Sequence, residues 1–427
     1  MAESMVKGSW DESLRLGRLG LDLAEQVGDE ETCIHLLVTI GSSRVSAGDP
    51  GGVVELLEGR RRADAAGLED AVTRSWNNLI DYYVTHREPV EVLAIAEPAL
   101  RFVNDRGLMA SSRCLRGTLA TGLISAGRFD EALETATSVL GSGEATVWQR
   151  IEPLIVVGRV GVRRGTRGAF AMLDDALPAA RDYGDPMLLA SVHAARAEAA
   201  WLDGDSDRTA REAREGLSVL PTAGSEWFRG ELALWLWRAT GERVMSDWLA
   251  TPYRLMIDGE SSLAAELWAE RQCPYDEADA LAGIDDDEEA LRRAFLLFDD
   301  LGARPCLTQT MEKLKALGVR TLPKSTRTTT KSNPMGAYVR RPDGAGPYPV
   351  IVYFHHGPGL DEGSKESMQL LADAGYYVVS PDRYHREAAW LCFDPKEMRS
   401  GTPEGDKLRE KMFGVLMRSN SSSGISS

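Results

Sequence analysis

The chain has 427 residues, 43% hydrophobic and 27% charged, with a net charge of −16. Those proportions fit a globular protein large enough for more than one core. The acidic balance excludes nucleic-acid or anionic-membrane binding by bulk electrostatics. No apolar run approaches the ~18 residues of a spanning helix, and the N-terminal MAESMVKGSW lacks a signal-peptide pattern. The five cysteines (Cys33, Cys114, Cys273, Cys306, Cys392) form no CxxC or Cys/His cluster, so neither a disulfide framework nor a zinc site is indicated. The expectation is a reduced, cytoplasmic protein with no metal and no cofactor.

From residue 1 to about 320 the apolar positions recur at helical spacing, as in SLRLGRLGLDLAEQV and EEALRRAFLLFDDLG. Turns punctuate the helices at Gly48, near Arg87, and at Gly127, Gly165 and Gly204, which are 39, 40, 38 and 39 residues apart. A period just under 40 with one turn inside each unit predicts stacked helix pairs, a tetratricopeptide-like solenoid. The glycines fit left-handed positions at helix ends. The next turn, Gly259, comes 55 residues after Gly204, which predicts an insertion or a longer helix there. The tryptophans spaced from Trp10 to Trp248 read as inter-helix core rather than as an aromatic groove. His35, His86 and His193 read as structural or surface residues. The acidic run GIDDDEEALRR reads as helix capping rather than metal ligation.

The stretch AERQCPYDEADALAGIDDDEEALRRAFLLFDDLGARPCLTQTMEKLKALGVRTLPKSTRTTTKSNPMG sharpens that reading. It resembles the region preceding the DNA-binding domain of large ATP-binding LuxR-type (MalT-like) transcriptional regulators. Cys273-Pro274-Tyr275, Leu301 to Pro305, Leu317 to Arg320 and Asn333-Pro334 carry the resemblance. It implies a sensor or interaction scaffold. The chain has no GxxxxGK[ST] phosphate loop and no helix-turn-helix start after Pro334, so neither ATP hydrolysis nor DNA reading carries over.

TLPKSTRTTTKSNP, without apolar periodicity, reads as a linker over 321–336. Then GAYVRRPDGAGPYP predicts a strand and turn, VIVYFHH a strand buried on both faces, SKESMQLLADAG a helix, and YYVVSPDRY another buried strand. This is a βαβ unit of an open α/β sheet. It resembles the opening of dienelactone hydrolases, through Arg341 to Gly344, His355 to Asp361, Leu371 to Tyr376 and Ser380 to Arg386. The resemblance implies an oxyanion-side loop of His356, Gly357, Gly359 and Leu360.

Acyl transfer also needs a nucleophile elbow and an Asp and a His from later strands. No GxSxG or GxCxGG occurs in the 427 residues. Cys392, with Asp382 and His385 (or His355 and His356), supplies the residue types for a weak substitute. Cys392 lies in an apolar run with nothing to lower its pKa. The expectation is that the missing elements would lie beyond Ser427, leaving an apolar strand at an exposed sheet edge open to self-association.

The resulting organisation is mainly α. A helical array spans 1–320, a linker 321–336, a partial α/β-hydrolase-type segment 337–417 and a disordered tail 418–427. The function expected is a non-catalytic interaction or regulatory scaffold that binds a protein partner through the array. The alternatives are a dienelactone-type ester or lactone hydrolase completed by further residues or a partner, and a remnant of a LuxR-type regulator.

Overall fold

The computed structural model describes residues 10–244, 246–319, 321, 337–342, 348–353 and 362–381. The chain divides into two compact units, Met1–Thr326 and Arg327–Ser427.

The first unit is a curved array of helix pairs. Its helices are α1 (Trp10–Val27), α2 (Glu30–Ser46), α3 (Gly52–Ala66), α4 (Glu69–Thr85), α5 (Pro89–Asp105) and α6 (Met109–Ser125). They continue as α7 (Phe129–Leu140), α8 (Ile151–Arg163), α9 (Phe170–Tyr183), α10 (Pro186–Leu202), α11 (Ser206–Val219) and α12 (Glu226–Thr240). The last five are α13 (Thr251–Asp258), α14 (Ser261–Glu270), α15 (Pro274–Ala282), α16 (Glu288–Leu301) and α17 (Arg304–Ala316). The even-numbered helices from α2 to α12 pack on one another in succession as well as on their partners, whereas α3, α5, α7, α9 and α11 pack chiefly on their sequence neighbours. Closer packing along one row curves the array and makes that row its concave inner side.

The turns leading out of the inner row take the left-handed backbone the sequence pattern predicts, with φ of 84° at Gly48, 73° at Gly127, 71° at Gly165 and 81° at Gly204. Arg87 occupies the same position with φ 55°, a conformation that is strained for a residue carrying a Cβ. The 55-residue gap is resolved into one regular unit and an addition. Helix α12 ends at Gly241 (φ 75°), on period, and the short 3-10 turn Ser246–Trp248 and eight-residue α13 follow before Gly259. The acidic run does cap: the Asp287 carboxylate accepts from the amides of Glu289 and Ala290 at the start of α16.

The loop at Gly224 and helices α13 to α17 lie along the row of inner turns, which sequence periodicity does not reveal. Gly48 meets Gly224, a Cβ on Gly127 would fall 2.7 Å from Pro274 and Leu301, and Gly165 faces Pro305. The largest core cluster accordingly joins Leu123, Phe129 and Val156 from the first half to Tyr253, Trp268, Phe298 and Leu301 from the second. Trp227, Tyr253 and Trp268 pack edge-to-face in it with centroids 5.1–6.2 Å apart.

The second unit holds β1 (Ala337–Arg340), β2 (Val350–Val352), α18 (Glu362–Asp373) and β3 (Tyr377–Pro381) in a sheet of order β1-β3-β2. β2 runs parallel to β3 and β1 antiparallel to it, so the expected βαβ unit is present. Met368 of α18 packs on Val378, with Leu371 beside it. The expectation of a β2 buried on both faces is corrected: Val350 and Val352 are 64% and 54% exposed. Among the described residues β2 has one strand neighbour, and only its Ile351 face meets the α18 side of the sheet.

Candidate functional site: a polar lumen in the helical array

The hydrolase-type candidates His356, Gly357, Gly359, Leu360, Asp382, His385 and Cys392 lie outside the described residues. The site that the described residues do form is a cavity of about 430 Å³ in the concave side of the array. Each inner helix contributes one face at helical spacing: Asn78, Asp81 and Thr85 from α4; Cys114, Thr118 and Thr121 from α6; Glu152, Val156, Arg159 and Arg163 from α8. Ser191 of α10 and Phe228 and Glu231 of α12 extend the wall, and Tyr253 of α13 and Asp276 of α15 close it from the folded-back helices.

One end is a self-compensating chain of charges. Arg87 Nη2 donates to Glu231 Oε2 at 2.7 Å, and Arg159 bridges Glu231 to Glu198, whose Oε2 lies 2.9 Å from Arg159 Nε. Arg163 donates to the other Glu198 oxygen at 2.6 Å and stacks 3.6 Å over the Tyr275 ring. All of these side chains are buried. Burial works against ionisation of Glu231, yet Arg159, Arg87 and Arg163 outweigh it and hold the carboxyl below its ordinary range. Burial pushes Asp276 up to about 6, against the pull of Arg163 and Arg87. The strained turn at Arg87 is explained by this network: its guanidinium joins the turn after α4 to α12, 144 residues away. Next to it, His86 and Arg87 accept through their carbonyls from Arg271 (2.9 Å) and the Cys273 thiol (3.6 Å).

The other end has no such compensation. Asp81, Glu152 and Asp185 have no basic side-chain partner among the described residues. Glu152 accepts one hydrogen bond, from Thr118 Oγ1 at 3.1 Å, and Asp185 caps α10 through the Leu188 amide at 2.8 Å. Burial, with Asp81 and Asp185 nearby, pushes Glu152 up to about 8. Burial and Asp185 push Asp81 up to about 6. Asp81 keeps accessible surface because it faces the lumen, although protein surrounds it. Beside this trio Trp148 and Tyr183 stack with centroids 6.0 Å apart at 16°.

His193 is buried and bonds Glu212 at 2.9 Å, a structural role. His35 is partly buried beside Arg74. His86 lines the lumen, its ring 4.1 Å from that of Tyr82. Trp227, Trp235 and Trp268 are core, whereas Trp148 is 43% exposed and lines the cavity. The four described cysteines are free. Burial raises the thiols of Cys114 and Cys273 and pushes Cys306 up to about 12, the opposite of an activated nucleophile. No helix among the described residues is long and apolar enough to cross a membrane.

The lumen residues escaped the sequence reading because a charged stripe at helical spacing normally marks a solvated face. The available signal was Glu152, Val156, Arg159 and Arg163 sharing one face of an otherwise apolar segment, IEPLIVVGRVGVR, with an arginine where sister turns carry glycine.

Residues 335–420 match the dienelactone hydrolase family. No curated protein matches the chain. Among solved structures, a circular tandem repeat protein with novel repeat topology and enhanced subunit contact surfaces is similar at 16% identity. That match covers 73% of this chain and 76% of the other, with a TM-score of 0.18, too loose to carry an argument. None of these similarities points to the transcriptional regulators.

Proposed function

We propose that the chain is a non-catalytic, helical-repeat binding scaffold whose lumen is its interaction surface, joined to a dienelactone-hydrolase-like segment. The observation that carries this reading is the lumen itself. It is a cavity of about 430 Å³ lined by polar side chains from six inner helices, within the volume range of ligand sites. Part of its wall is shared with the core clusters, through Val84, Ile124, Val156 and Tyr253, and the polar side chains face the cavity between these. The regulator-like motifs around Cys273-Pro274-Tyr275 and Leu301 to Pro305 support a sensory origin for the array, with a ligand or a partner's peptide segment as occupant. Four free cysteines among the described residues suit a reducing compartment such as the cytoplasm.

A second reading, ester or lactone hydrolysis of the dienelactone hydrolase type, is favoured by the match at 335–420. It requires a nucleophile elbow, and neither GxSxG nor GxCxGG occurs in these residues. The two readings separate in one assay. The purified chain is offered p-nitrophenyl acetate and an enol-lactone with and without a thiol-blocking reagent. The scaffold reading expects no turnover above buffer, and thiol-sensitive turnover would replace it with the hydrolase reading.

A further inference from the structure

We infer that the lumen is a site for an organic polycation, with ammonium groups facing Asp81, Glu152 and Asp185 and its hydrocarbon body against the Trp148–Tyr183 stack. This rests on the reading of the array as a binding scaffold and names the chemistry of what it binds. Three observations converge on one end of the cavity.

The first is an asymmetry of charge within one cavity. At the Arg87 end, Glu231 and Glu198 are each flanked by two arginines. At the Glu152 end, three carboxyls from α4, α8 and the start of α10 share a Thr118 hydroxyl and a backbone amide, with no cation among the described residues. The uncharged groups facing them, including Cys114, Asn78 and Gln149, cannot supply a positive charge. The cost of that arrangement is visible in the raised Glu152 and Asp81 carboxyls, and a bound ammonium would relieve it.

The second is the aromatic pair. The Trp227, Tyr253 and Trp268 cluster sits edge-to-face in the core. Trp148 and Tyr183 instead stack face to face, are 43% and 45% exposed, and both line the cavity. An accessible aromatic face beside carboxylates attracts organic cations and offers nothing to anions.

The third is spacing. Among the described residues no three acidic, histidine or cysteine side chains stand close enough to hold one metal ion. Separated carboxyls suit an extended cation with several N–H donors, and about 430 Å³ accommodates one. The shared chemistry, a protonated alkylamine, can arrive as a free polyamine or as lysine side chains of a partner protein.

The test is titration calorimetry of the full chain at pH 8 with spermidine, with a terminally blocked tri-lysine peptide, and with triethylene glycol as the neutral control. A net charge of −16 draws any polycation to the surface, so the variants decide. Glu152→Gln and Asp185→Asn are near-isosteric, and asparagine still caps a helix. Each should weaken amine binding about tenfold, the loss of one charged partner. Trp148→Ala should weaken it several-fold. Binding should release protons at pH 7, detected as different heats in buffers of different ionisation enthalpy.

Spermidine binding without peptide binding identifies a free amine, and the reverse identifies a protein-borne one. Unchanged affinity in both carboxyl variants would mean surface attraction only and would overturn the inference. So would equal binding of triethylene glycol, which would leave the binding scaffold intact with a neutral ligand. No binding by either amine also overturns it, while the non-catalytic reading stands or falls on turnover alone.

Discussion

Arg87 is the residue at which local and long-range physics disagree most directly, so Arg87→Gly tests the fold's closure. Glycine occupies the equivalent turn in the units at Gly48, Gly127, Gly165 and Gly204, and Arg87 bears the left-handed φ of 55° with a Cβ attached. Relief of that strain would stabilise the glycine variant by about 1 kcal/mol. The greater freedom of glycine in the unfolded chain removes about 0.5–1 kcal/mol again. The backbone terms therefore nearly cancel. What remains is the loss of a buried guanidinium that donates at 2.7 Å to Glu231 and at 3.3 Å to the Val84 carbonyl. Removing one partner of a buried ion pair costs about 3–5 kcal/mol when the other is stranded. Glu231 keeps Arg159, which favours the lower end, about 3 kcal/mol. Urea unfolding followed by circular dichroism should show the midpoint falling by that equivalent, and Arg87→Lys should fall between the two. A glycine variant that unfolds at or above the wild-type midpoint would refute the reasoning, because strain would then outweigh the network.

The remaining predictions concern pH and packing. Glu152 keeps its proton to about pH 8 in the folded chain but loses it near 4.5 when unfolded, so its contribution to stability declines as pH climbs through that window. At about 1.4 kcal/mol per tenfold change in ionisation the ceiling is about 5 kcal/mol. Glu152→Gln should therefore flatten the pH 5–8.5 stability profile and add about 2 kcal/mol or more at pH 8.5, measured as urea midpoints across pH. Glu212 runs the other way. Burial opposes its charge, but His193 and Arg196 outweigh burial and bring it to about 2, giving stability present above pH 4.5 and lost as pH falls toward 2. Glu212→Gln should cost about 3 kcal/mol at pH 7 and erase that acid limb. Gly41→Ala places a Cβ 2.8 Å from the Gly52 carbonyl oxygen and the Leu56 nitrogen, backbone atoms that move only if α2 and α3 separate. A loss of about 2 kcal/mol is expected by thermal unfolding, whereas Gly20→Ala, 3.2 Å from the Leu36 side chain, should be neutral or stabilising.

Local geometry was legible in the sequence because it is enforced locally. A turn needing φ near 70–85° selects glycine, so Gly48, Gly127, Gly165 and Gly204 announced the period. Gly241 does not stand out in the sequence because the residues after it, ERVMSDWLA, break the helical pattern before Gly259. The return of α13 to α17 along the turns was not legible. It depends on complementary surfaces, such as Pro274 and Leu301 against Gly127, and no periodicity records which surfaces meet. β2 misled for a related reason: an apolar run signals that a strand can be buried, whereas burial of Val350 and Val352 depends on which layers cover it.

The lumen escaped for a deeper reason, one that bears on how such arrays carry function. In a single-core domain a polar residue on an inner face costs stability, so polarity at helical spacing is reasonably read as solvent exposure. In this array the seams carry the packing: Val92, Ala96 and Val103 meet Ile80 and Leu115, while Leu173 and Ala176 meet Ile151 and Val192. The polar positions on the faces turned into the concave side, which alternate with shared core residues such as Ile124 and Val156, are thereby released from packing and can be set by chemistry. That freedom has two outcomes in one cavity. Arg87, Arg159 and Arg163 are matched by Glu231, Glu198 and Asp276, the last of which brings a folded-back helix into the network. Asp81, Glu152 and Asp185 have no basic side-chain partner among the described residues, although burial disfavours their charge. A network that closes the fold has to be internally neutral, because any residual charge would oppose closure. A recognition surface has to be left incomplete, because only an unmet charge gives an incoming ligand something to neutralise.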